Sequence, residues 1–157
     1  MERFEHLLAL VGDSNSGVAE AVAKALGEMG SEAAPAVDRL RATLEVARAE
    51  AEKLAVVEAL GKIGSNRAVP SLIPLLRSAR SPLKRVAARA LGNIGDPEAL
   101  PALISSLSER DEDVRMCVIN ALLHVGAPAI PALESERSNP DKRLRAGVEH
   151  VLARIRP

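Results

Sequence analysis

The sequence has no tryptophan or tyrosine and a single phenylalanine, Phe4. A chain so poor in aromatic rings lacks a platform on which nucleobases or a planar chromophore would stack. Its one cysteine, Cys117, excludes an internal disulfide framework and suits a reducing compartment, so a cytoplasmic location is expected. Net charge is missing too, because 21 basic side chains face 21 acidic ones. No apolar run reaches the about 18 residues of a membrane span, and residues 1–10 lack the basic start and apolar stretch of a secretion signal. No glycine-rich phosphate loop or serine nucleophile elbow is present. The histidines, His6, His124 and His150, are far apart and have no cysteine pair beside them, so metal ligands and cofactors are not expected.

What the chain does have is repetition. Ala25–Gly30, Ala59–Gly64, Ala90–Gly95 and Ala121–Gly126 are versions of one hexapeptide, with final glycines 34, 31 and 31 residues apart. A fifth copy begins at Val151. A period near 31 holds two short helices and two turns, and is too short for an independent domain. The second helix of each unit has apolar residues at i, i+3, i+4, i+7 and i+8, as in Val114, Cys117, Val118, Ala121 and Leu122. The first helix has its own stripe, as in Leu100, Leu103, Ile104 and Leu107. Gly30, Gly64, Gly95 and Gly126 stand where a left-handed residue ends a helix. Ser81 with Pro82 is expected to cap the third second helix, and Asp96 with Pro97 the fourth first helix. Pro74 lies deeper and is expected to kink its helix. One domain over residues 1–157 follows, with units of approximately 1–30, 31–64, 65–95, 96–126 and 127–157. The second unit is longer by three residues, with Glu50 and Glu52 at its cap and opening positions, so an extended turn between its two helices, or longer helices, is expected. The final stripe (Leu144, Val148, Val151, Leu152, Ile155) lies close to Pro157, and Phe4 close to Met1. Uncapped array ends, open to self-association or further repeats, are therefore expected.

These residues resemble the HEAT repeat family. They are most similar to its short variant named after phycobilisome lyase subunits, with a turn aspartate (Asp111, Asp141), an arginine opening the second helix (Arg115, Arg145) and the Ala-Leu-Gly-x-Ile-Gly run. The resemblance covers essentially the whole chain. It implies an all-α, right-handed α-solenoid of about five antiparallel helix pairs, with the second helices lining a concave face. It also implies that the row Lys53, Lys84, Arg115 and Arg145 forms a structural ladder bonding turn carbonyls and acids. Deoxyhypusine hydroxylase is similar in fold but binds iron through His-Glu dipeptides, which this chain lacks; Glu149-His150 is the reverse order. Nothing nominates a catalytic group, so an enzyme is not expected. Cys117 has a stripe position and reads as core, and His124 as a helix-end dipole partner.

The neutrality is a cancellation: residues 1–58 sum to −5, 59–95 to +7, 96–136 to −6 and 137–157 to +4. Neighbouring units either attract one another across the stack or leave a basic notch for an anionic partner. On the expected concave face stand Leu54, Glu58, Arg85, Arg89, Met116, Asn120 and His150. Leu54 and Met116 around Arg85 have the composition of a protein-binding patch. The first expectation is therefore a scaffold for a protein or peptide partner. Phosphate-backbone binding through the basic third unit is the alternative, and an accessory subunit of a lyase-type enzyme the third.

Overall fold

The computed structural model describes residues 2–78 and 80–155; Met1, Ala79, Arg156, Pro157 and the side chain of Glu2 lie outside the described residues, as therefore do the two chain termini on which open ends were expected. The elements come in pairs: α1 (Glu2–Leu10) with α2 (Ser16–Glu28), α3 (Val37–Val46) with α4 (Glu50–Ile63), α5 (Val69–Leu72) with α6 (Ser81–Ile94), α7 (Leu100–Ser105) with α8 (Glu112–Val125), and α9 (Ile130–Ser135) with α10 (Lys142–Ile155). There is no strand among the described residues.

The even-numbered helices are long because their stripes are uninterrupted. Gly64 and Gly95 end α4 and α6 in the left-handed conformation, with φ of 75° and 70°. The odd-numbered helices are shortened by proline. Pro70, Pro101 and Pro131 sit in first turns, where a missing N–H is tolerated. Pro74 stops α5 at Leu72, and the chain continues as the 3-10 stretch Ile73–Arg77. Two local expectations are corrected. Ser81 does not cap α6; Arg80 precedes the helix without a side-chain capping bond, and Ser81 is its first residue. The extra length of the second unit is mostly a seven-residue 3-10 lead, Gly30–Ala36, where later units have three residues. Glu52, at the position of Leu83, is buried in the first turn of α4, where a carboxylate suits the helix dipole.

Helix α2 packs closely on α4, α4 on α6 and α6 on α8, whereas consecutive odd-numbered helices hardly meet. The even-numbered helices therefore form the more closely packed layer. The sequence cause is the motif glycine. A Cβ on Gly61 would lie 2.7 Å from the Cα of Ala90, and one on Gly92 2.6 Å from the Cα of Ala121. The last junction departs from this, having Leu123 and Val151 at the glycine and alanine positions. There α8 and α10 run close only over a short stretch, and α10 turns Gly147 onto Leu107 instead. Its expected open stripe is covered: Leu144, Val148, Val151 and Leu152 are buried and Ile155 is half-buried. The exposed residues of α10 are Lys142, Arg143, Ala146, Glu149, His150, Ala153 and Arg154, so this face is largely polar.

Candidate interaction face

Helical periodicity leaves two rows of side chains on the outer surface of the even-numbered helices. One is Lys24, Glu58, Arg89, Asn120 and His150; the other, one turn later, is Glu28, Lys62, Asn93, His124 and Arg154. Between α6 and α8 these rows enclose a groove of about 200 Å³, lined by Arg89, Gly92, Asn93, Cys117, Asn120, Ala121 and His124. Gly92 and Ala121 form its floor at the point of closest helix approach. A smaller recess between α4 and α6 shares Arg89 and Asn93 with Glu58 and Lys62.

The structure brings Arg89 and Asn120 together, as the register implies. It separates others from them. Leu54 is half-buried and packs against the core. Met116 is exposed (40%). Arg85 is half-buried, with its Nη1 3.6 Å from Asp113, and His150 is exposed on α10 away from the groove. The apolar patch expected around Arg85 is therefore reduced to Met116. Cys117 is also corrected: it is half-buried and lines the groove as well as touching the core. Asn93 was missed, although it lies one helical turn beyond Arg89 and i, i+4 spacing alone would have found it.

The row at the start of the even-numbered helices does different work. Arg115 Nη1 donates to the Glu109 carbonyl at 3.0 Å, and Arg145 Nη1 donates to the Asn139 carbonyl. Lys84 Nζ instead reaches the Glu109 carboxylate of the next unit at 2.9 Å. Lys53 makes no side-chain bond of this kind among the described residues. Asp111 accepts from the backbone N–H groups of Asp113 and Val114. The Ser81 hydroxyl, together with those N–H groups and nearby Arg85, holds its carboxyl below the usual aspartate range.

The basic third unit is matched to its flanks. Arg67 pairs with Asp38, Arg80 with Glu50 and Arg89 with Glu58 on one side, while Lys84 pairs with Glu109 and Arg85 with Asp113 on the other. Lys62 pairs with Glu58 at 3.3 Å within its own helix. The alternation of charge along the sequence is thus largely consumed between neighbouring units.

An all-helical stack of antiparallel pairs, closed along one layer by glycine–alanine contacts, defines an α-solenoid of the HEAT and armadillo class. The HEAT repeats family model matches residues 4–85 and 69–153, and the chain belongs to that family. No curated protein matches the sequence. Among solved structures, the chain is similar to one in the complex of CpcE and CpcF of phycocyanin lyase from Nostoc sp. PCC7120, at 27% identity and a TM-score of 0.72, covering 98% of this chain and 65% of that one. It therefore spans just under two thirds of that relative's length. An engineered protein matches with 23% identity and a TM-score of 0.68, covering 99% of this chain and 80% of the other. Human deoxyhypusine hydroxylase, in complex with glycerol, matches with 18% identity and a TM-score of 0.57, covering 97% and 73%. The last two likenesses speak for the fold alone. Among the described residues, no group of histidine, cysteine and acidic side chains is arranged to hold a metal, and no single helix is long and apolar enough to cross a membrane.

Proposed function

We propose that this chain is a non-catalytic interaction module that holds a protein or peptide partner on the face of its even-numbered helices, centred on the groove between α6 and α8. The observation that carries this reading is a set of polar side chains that make no hydrogen bond inside the fold, Arg89 having only a 3.8 Å ion pair to Glu58. Arg89, Asn93, Asn120 and His124 converge on one groove, and among the described residues none makes a side-chain hydrogen bond to another residue. Polar groups around a small apolar floor are the composition of a recognition surface. Support also comes from the CpcE–CpcF structure, in which a chain of similar fold is found in a complex. That likeness equally favours the narrower reading of an accessory subunit to a lyase-type enzyme, which would use the same face. The ion pairs on both flanks of the third unit weigh against a nucleic-acid groove, since phosphate binding draws on uncompensated cations. The unpaired Cys117 supports a cytoplasmic setting.

The test is site-specific photo-crosslinking in cells of the source organism. A photoreactive residue at Asn120 should give discrete adducts, and one at Glu45, on the odd-numbered layer, should not. The double variant Arg85→Glu, Arg89→Glu should abolish the Asn120 adducts while helical circular dichroism stays unchanged. Adducts from Glu45 alone would end this reading.

A further inference from the structure

We infer that residues 127–155 form a lid that opens from the stack as one unit, parting at Gly126, while α4 and α6 stay closed. This goes beyond the proposed interaction role and holds whatever the groove binds. In a chain of stacked repeats each unit is held by its own contacts and by its interfaces with its neighbours. The weakest interface is therefore where the stack parts. Three features place it between the fourth and fifth units.

The first is packing. At the two preceding junctions a motif glycine meets an alanine, Gly61 with Ala90 and Gly92 with Ala121, and the helices run in close contact. At the last junction the same positions hold Leu123 and Val151. Two branched side chains cannot approach as a glycine and an alanine do. Leu123 stays half-buried, and α10 meets α8 over a short stretch only. Helix α10 leans on the odd-numbered layer instead, where a Cβ on Gly147 would lie 3.0 Å from the Cβ of Leu107.

The second is the backbone. Gly64 and Gly95 leave their helices with ψ of 15° and 16°, whereas Gly126 does so with φ 73° and ψ −141°. That conformation lies close to a region open essentially to glycine alone. The chain thus enters the fifth unit along a different path from the one it takes into the third and fourth.

The third is where the side-chain bonds go. Asp38–Arg67 and Glu50–Arg80 cross from the second unit to the third, and Lys84–Glu109 and Arg85–Asp113 from the third to the fourth. The bonds of Arg137, Asn139 and Arg145 close inside the fifth. Arg137 donates to Glu149 through Nε and Nη2, at 2.8 and 3.3 Å. Asn139 Nδ2 donates to Glu136, and the Asn139 carbonyl accepts from Arg145. The turn after α9 is thereby tied to the middle of α10. A unit bound within itself and weakly to its neighbour opens cooperatively rather than one residue at a time. Opening bares Leu107, which is fully buried while α10 is closed.

The experiment is native-state hydrogen exchange of the full chain, read by NMR at increasing urea below the unfolding transition. The expected result is that the protected amides of α9 and α10 converge on one common opening. They should exchange at least about tenfold faster than those of α4 and α6. Gly126→Ala places a Cβ in a conformation that favours glycine, and opening releases that strain. This variant should speed exchange of α9 and α10 by a further factor of about ten and leave α4 and α6 unchanged. The inference is overturned if α9 and α10 exchange together with α4 and α6. It is equally overturned if protection along α10 falls off gradually without a common opening, or if Gly126→Ala speeds every helix alike. The measurement on the parent chain decides by itself should Gly126→Ala fail to fold.

Discussion

Single glycines set how closely the repeats approach. At Gly61 and Gly92 the missing Cβ is replaced by the backbone of the next unit, at 2.7 and 2.6 Å from where it would lie. An alanine there gains helix propensity, about 1 kcal/mol, but forces two helices apart. Gly92→Ala is expected to destabilise the protein by about 1–3 kcal/mol in urea unfolding. Gly27→Ala, where the nearest atom is 3.0 Å away, should cost less. An unchanged midpoint for Gly92→Ala would show that this junction is not tightly closed. Leu123 in the fourth unit is the natural counterpart of such a substitution, and it is matched by Val151 across the junction. The hexapeptide repetition was legible at once, but its third residue reads as one more helix position until the neighbouring helix is in place.

At the scale of the element, the helix starts are unequal. Asn15 caps α2 and Asp111 caps α8, whereas α4 and α6 begin without a side-chain cap. Asp111 was legible as a turn aspartate; that the Ser81 hydroxyl of the preceding unit serves it was not. A hydroxyl 30 residues away enters no local pattern. The consequence is a pH dependence of known sign. The folded carboxyl titrates below its unfolded value, so its stabilisation is fully present above the usual aspartate range and is lost as pH falls through the folded value. Asp111→Asn keeps the capping acceptor and removes the titration. Thermal melts of this variant should lie below the parent near neutrality and converge with it on acidification, because the variant lacks the charge-dependent stabilisation and so falls less steeply. An identical acid slope would mean that Asp111 contributes nothing to it.

Across the whole molecule, zero net charge becomes a pattern of contacts. Asp38–Arg67, Glu50–Arg80 and Lys84–Glu109 tie the third unit to both neighbours. Lys84–Glu109 is part-buried, whereas exposed pairs such as Asp38–Arg67 and Glu50–Arg80 couple weakly, by about 0.2–1 kcal/mol each. A double-mutant cycle on Asp38 and Arg67 in urea should return a coupling in that range, and it should shrink toward zero in about 1 M salt. A coupling of zero at low salt would assign the charge alternation to solubility rather than to stacking. The block sums could be read from the sequence, and two explanations stood open: units attracting one another, or a basic notch. The side-chain positions favour the first for most of the third unit, because its cations have carboxylates beside them.

The sequence by itself determined the helix pairs, their buried faces and the family, because stripe periodicity, proline and glycine act within a few residues of one another. Only the tertiary structure decided that Leu54 packs half-buried against the core and that Cys117 lines a groove. The same holds for the meeting of Arg89, Asn93, Asn120 and His124 with their hydrogen bonds unspent. Those outcomes depend on how one helix rotates and settles against the next, about a repeat length away in sequence. Local periodicity describes each helix alone; the distance and register between helices come from packing, and here from the absence of a Cβ at Gly61 and Gly92.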